Sequence, residues 1–128
     1  MWSAKRSKSE REREPREWRF YVDDMIGFCE RVRDYTAGLD QAVFISSPMP
    51  YDATLRNLEL IDDAAMRIPE SVRDAHPEIP WQTIIGTRNR LSHEYLRIDN
   101  DVVWDIVCND VPVLLPALRD LLKTTGRD

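Results

Sequence analysis

The sequence predicts an all-α protein, an antiparallel four-helix bundle with short extra helices. Three observations lead there. Glycine is scarce, at 4 of 128 residues. The β-branched residues do not gather in alternating runs. Apolar residues instead recur at steps of three and four along four substantial segments with short connections, which an antiparallel bundle satisfies best.

Residues 1–15 are dense in charge and poor in apolar content, and read as a disordered or frayed extension. The helical domain spans residues 16–123, and residues 124–128 form a disordered tail. The first helix starts at Arg16 with Tyr21, Met25, Phe28, Val32 and Tyr35 on one stripe, and Gly38 stops it as a left-handed residue. Asp40 caps a short piece through Phe44. Ser46 to Pro50 read as a loop. The second long helix presents Tyr51, Leu55, Leu58, Ile61, Ala65 and Ile68. Pro69 ends it or opens a short helix, which Pro77 closes. Pro80 suits a first helical position, and the helix from Trp81 buries Trp81, Ile84, Ile85 and Leu91 before running into Arg88–His93. Asp99 caps the last segment, whose stripe is Val103, Val107, Val111, Leu114, Leu118 and Leu121. Pro112 removes a backbone donor within it, so a kink or restart is expected near Asp110, and Pro116 repeats the problem.

Composition excludes several classes. No apolar run approaches the ~20 residues of a membrane span, and the charged N-terminus has no secretory h-region. The cytoplasm is the default location. Cys29 and Cys108 fall on apolar helix faces and are expected to be reduced core residues. They make no recognised zinc spacing with His76 and His93, and His76 reads as a loop residue without chemistry. Neither a phosphate-binding glycine loop nor a nucleophile elbow is present. The net charge of −5 argues against a generic polyanion binder. Its distribution is uneven: +3 over residues 1–19, −7 over 20–80, +2 over 81–98 and −3 over 99–128. A basic island thus sits in an acidic body.

That island holds Arg88-Asn89-Arg90-Leu91-Ser92-His93. Asn89 and His93 are four apart and share a helix face. Arg88 lies five before His93, about 140° around the axis. Spacing alone does not make a joint site, because Arg and His near a helix C-terminus also complement the helix dipole.

The stretch Pro80 to Tyr95 (PWQTIIGTRNRLSHEY) resembles the signature of the HepT family of the HEPN superfamily. Residues 31–39, 51–61, 76–81 and 98–112 resemble the same family in the same order, so the likeness covers roughly residues 16–123. It implies an HEPN-like helical bundle that forms a homodimer with RNA in a cleft between protomers. It implies a metal-independent endoribonuclease with no cofactor, paired with a nucleotidyltransferase antitoxin of the MNT kind. Arg88, Asn89 and His93 then fall on the catalytic motif, Arg88 and Arg90 contact RNA, and Tyr95 is the tyrosine the antitoxin adenylylates. The family usually has Gly where this chain has Glu94, and Gly-Glu where it has Asp62-Asp63.

The residue types suit that chemistry. Imidazole takes or gives protons near neutral pH. A guanidinium holds a phosphorane's charge through paired donors. A non-catalytic HEPN module that binds or regulates a nucleotidyltransferase is the competing reading, favoured by the acidic total and by Glu94.

Overall fold

The computed structural model describes residues 8–91 and 98–125. Every long element in them is helical: α1 (Lys8–Thr36), α2 (Gln41–Ile45), α3 (Pro48–Met66), α4 (Glu70–Ala75), α5 (Trp81–Ile85), α6 (Thr87–Leu91), α7 (Asn100–Asp105) and α8 (Val111–Thr125). A π-helical turn, Ile106–Asp110, joins α7 to α8. Among the described residues no helix is long and apolar enough to cross a membrane.

Helix α1 packs against both α3 and α8, while α3 also meets α2, α5 and α6. One core results, built from Val22, Met25, Cys29 and Val32 of α1, Leu58, Ile61 and Ala65 of α3, and Leu114, Leu118 and Leu121 of α8. The α1 stripe is turned from the expected one. Trp18, Val22, Met25, Cys29, Val32 and Thr36 are buried, whereas Tyr21 and Phe28 are half-buried and Tyr35 is exposed. Val22, Cys29 and Val32 face inward where three helices converge, Trp18 is buried at the start of the same face, and Tyr21 and Phe28 cover the flank. Thr36 tolerates burial because its hydroxyl donates to the Val32 carbonyl at 2.7 Å.

Helix α1 also reaches back to Lys8, into the stretch expected to be disordered or frayed. Its Arg, Glu and Lys residues are good helix formers. At the other end α8 runs to Thr125, and the rest of the expected tail lies outside the described residues. Gly38 takes φ +75 just past α1, as expected of a left-handed stop. Asp40 caps α2 by accepting from the Val43 amide at 2.9 Å. Asp99 caps α7 by accepting from the Asp101 and Val102 amides. The loop expected at 46–50 is shorter, since α3 begins at Pro48, where a missing N–H costs nothing.

Two departures bear on function. The helix expected from Trp81 through His93 is interrupted at Gly86, which closes α5 before α6 starts. Glycine is a weak helix former, and a Cβ there would stand 3.2 Å from the Gln82 carbonyl oxygen. In α3, Thr54, Asn57 and Asp62 are buried beside Leu58 and Ile61, so this face is more polar than the expected stripe.

The last segment follows its predicted stripe, with Val103, Val107, Val111, Leu114, Leu118 and Leu121 all buried. The expected restart near Asp110 is the π turn, where the Val111 amide donates to the Ile106 carbonyl. Pro112 and Pro116 are both exposed, which leaves the carbonyls they cannot serve close to water. The turn corrects one expectation. Ile106 and Val107 point inward, and Cys108 is exposed rather than in the core.

The glycines and thiols can be tested directly. Gly27 lies within α1, and a methyl group added there would meet nothing within 4 Å, so Gly27→Ala should gain about 0.5–1 kcal/mol. Gly38→Ala should lose about 1–2 kcal/mol, and thermal unfolding of the two variants will show opposite shifts. Burial, with the Glu30 carboxylate adding to it, pushes the Cys29 thiol up to about 12. The unfolded thiol ionises near ~8.5, so this contribution to stability is whole below that pH and is lost as pH rises towards the folded value. Cys29→Ala should flatten the alkaline fall in stability. In the native protein a thiol reagent should label Cys108 and spare Cys29 until unfolding.

Candidate active site

The candidate motif lies on α6 and the segment after it. The backbone of Arg88 lies in α6, while its side chain is outside the described part of the structure. His93, Glu94 and Tyr95 fall among residues 92–97 and are outside it altogether. Asn89 is exposed on α6. The Asn89–His93 face expected from the spacing, and the joint role of Arg88 and His93 that the family resemblance implies, therefore lie outside the described residues except for Asn89 and the Arg88 backbone.

The frame around residues 92–97 is well tied. The Asp99 amide donates to the Leu91 carbonyl at 2.8 Å, so the two ends of the intervening segment are held together. Leu91 is buried. On the returning side, the Tyr51 hydroxyl donates to the Asn100 side-chain oxygen. Burial, and then the charge of Asp52, raises the Tyr51 phenol, which keeps it a donor. Gln41 Nε2 donates to Asp101 Oδ1 at 2.6 Å. The rings of Tyr51 and Trp104 each lie 5.3 Å from that of buried Phe44. The start of α7 is thus fastened to α2 and α3 by polar and aromatic contacts together.

Helix α6 is fastened as well. Arg90 Nη1 donates to Asp110 Oδ2 at 3.0 Å, and Nη2 lies 3.8 Å from Asp105 Oδ2. Asn109 Nδ2 donates to Asp105 Oδ1 at 2.6 Å. Asp105, Asn109 and Asp110 belong to α7 and the π turn, and none of them stands out in the sequence. Their signal there is weak, since carboxylates five apart do not share a face of an α-helix. Arg90, expected to contact RNA, has its guanidinium engaged by these carboxylates.

A cleft of about 170 Å³ lies alongside, between α3, the α5–α6 segment and the π turn. Leu58, Ile61, Ile84 and Ile106 give it an apolar wall, and Thr87 and Asp110 contribute polar edges. Thr87 directly precedes Arg88, so the motif helix forms part of the cleft's side. The remaining singled-out residues have simpler places. Asp62 is buried and Asp63 half-buried on α3. His76 follows α4 in the loop before Pro77, its ring 3.3 Å from a Glu78 carboxylate oxygen and its carbonyl accepting from the Trp81 indole at 2.9 Å.

Residues 25–121 match the family described as Ribonuclease HepT-like. A Thermococcus cleftensis protein named "Probable ribonuclease HepT" is 31% identical over 103 residues, covering 80% of this chain and 94% of that one. A Methanocaldococcus jannaschii protein named "Putative RNase MJ1380" is 34% identical over 97 residues, covering 76% and 89%. A Caldanaerobacter subterraneus protein named "Putative RNase TTE0752" is 28% identical over 103 residues, covering 80% and 92%. No solved structure matches the chain. The family match spans most of the helical domain, including α6 and the π turn that holds it, and the chain belongs to the HepT-like ribonuclease family of the HEPN superfamily.

Proposed function

We propose that this protein is an endoribonuclease toxin that cuts RNA without a metal, with Arg88, Asn89 and His93 as its catalytic set. The single observation carrying this is the family match over residues 25–121, which contains the whole Arg88-to-Tyr95 segment. Cleavage without a metal requires a proton taken from the ribose 2′-hydroxyl and one given to the leaving 5′-oxygen. The 2′-oxygen attacks the phosphorus, the P–O5′ bond breaks, and a 2′,3′-cyclic phosphate remains. His93 is the group able to move those protons near neutral pH. Arg88 holds the charge that gathers on the phosphorane, and Asn89 orients the imidazole or a phosphate oxygen.

One His93 per chain leaves a lone protomer short of an acid or a base. A homodimer with the two motifs facing one cleft supplies both. Tyr95 stands two residues beyond His93, where adenylylation by an MNT-type nucleotidyltransferase would set a bulky anion beside the phosphate pocket and repel RNA. The acidic total charge and Glu94 favour a second reading, a non-catalytic module that binds or regulates such a nucleotidyltransferase.

The test is incubation of the purified full-length protein with RNA in EDTA. Wild type should cleave and leave cyclic phosphate ends, while His93→Ala should lose cleavage by roughly 100-fold or more. Absence of cleavage by unmodified wild type overturns the nuclease reading and leaves the second. Co-expression with the nucleotidyltransferase should add about 329 Da per attached AMP, and Tyr95→Phe should remove that mass.

A further inference from the structure

We infer that Arg90 is a positioning residue for the catalytic segment, locked by Asp110 and Asp105, and not a group that binds RNA. The inference rests on the nuclease reading for its kinetic consequences. Its structural basis is independent of that reading.

Helix α6 is described over Thr87–Leu91 and is separated from α5 by the interruption at Gly86. A helix broken one residue before its start takes its orientation from what it packs on. Leu91 supplies one anchor by burial. The second is the hydrogen bond from Arg90 to Asp110 at 3.0 Å, with Asp105 at 3.8 Å from the neighbouring Nη. The Arg90 and Asp110 side chains are each about one-third exposed, at 33%, so the pair is partly withdrawn from solvent.

The π turn makes this geometry available. Along an α-helix, Asp105 and Asp110 would lie about 140° apart and could not both face one guanidinium. Bonding from residue i to residue i+5 brings positions five apart nearly into line. The turn Ile106–Asp110 is closed by such a bond, from the Val111 amide to the Ile106 carbonyl. Asp105 is held in turn by Asn109 at 2.6 Å. Arg90 therefore meets a prearranged pair of carboxylates. The Arg88 backbone, Asn89 and Leu91 on the same helix take their bearing from that pairing.

The two roles predict different kinetics. A positioning clamp broken from either side misplaces the reacting groups, which lowers kcat on the order of 100-fold with little change in KM. If Arg90 instead gripped a phosphate of the RNA, replacing it would raise KM and lower the salt dependence of binding by about one phosphate. Asp110→Asn would then leave cleavage intact, because it frees the guanidinium. The experiment compares Arg90→Gln, Asp110→Asn and the double variant of the full chain in RNA cleavage, with Glu30→Gln as a control that breaks the remote Arg119–Glu30 pair. Both single variants should lose kcat alike, and the double should be no worse than either. Glu30→Gln should match wild type.

Amide hydrogen exchange over residues 87–91 is measured on the same proteins, and it should accelerate in both single variants while the unfolding midpoint shows the core intact. If Asp110→Asn fails to fold, Asp105→Asn and Arg90→Lys supply the same readings from milder lesions. Unchanged kcat and unchanged exchange in Asp110→Asn would overturn the inference, as would a KM effect confined to Arg90. If wild type does not cut RNA at all, the nuclease reading fails alone, and the exchange data still decide whether the clamp exists.

Discussion

The π turn at Ile106–Asp110 is the constraint on which the rest of the arrangement depends. Pro112 cannot donate a backbone hydrogen bond, so a regular helix through this region would strand a carbonyl and clash with the ring. Widening the preceding turn answers that difficulty and has two consequences. It keeps Val103, Val107 and Val111 on the buried side despite spacings of four and four, which would drift around an ideal helix. It also aligns Asp105 and Asp110 towards Arg90. One backbone defect thus serves the packing of the last helix against α1 and the docking of α6.

The described chain on either side of residues 92–97 is fastened at two points. Leu91 and Asp99 are joined by a backbone bond, and Asp99 then caps α7. Just beyond, Tyr51 and Gln41 reach from α3 and α2 to Asn100 and Asp101. These interactions come from positions about fifty and sixty residues earlier in the chain. The positions that flank residues 92–97 are thus set by long-range packing and not by local propensity. Short helices and loops carry reactive groups well only when a rigid scaffold sets their ends.

What is legible in the sequence follows local rules. Gly38, Asp40 and Asp99 act where turn and cap chemistry put them, because each works within four residues of itself. The stripe from Val103 to Leu121 is legible because it is strongly apolar. The α1 face is harder to read because aromatics look like the natural core, whereas the tight junction with α3 and α8 admits Val22 and Cys29 instead. Buried Thr54, Asn57 and Asp62 leave no local trace, since a polar side chain enters a helix interface only for reasons of tertiary context. Exposed Cys108 departs from its apolar stripe because the π turn rotates it outward. In the candidate site, Arg88, Asn89, His93 and Tyr95 are recognisable by pattern, while Asp105 and Asp110 are hidden by a helical register they do not obey.

The engagement of Arg90 also changes the electrostatic reading of the basic island. Counted along the sequence, residues 81–98 carry +2 in a chain of net −5. In space, Arg90 is offset by Asp110 and lies near Asp105, so its charge is largely cancelled at the distances over which salt screens, about 8–10 Å. Long-range attraction of RNA to a single protomer is then weak. An acidic protein that acts on a polyanion must gain its affinity at short range, from groups that touch the phosphate directly. The proposed homodimer would supply such groups twice over, which would raise the local positive charge without altering the acidic body.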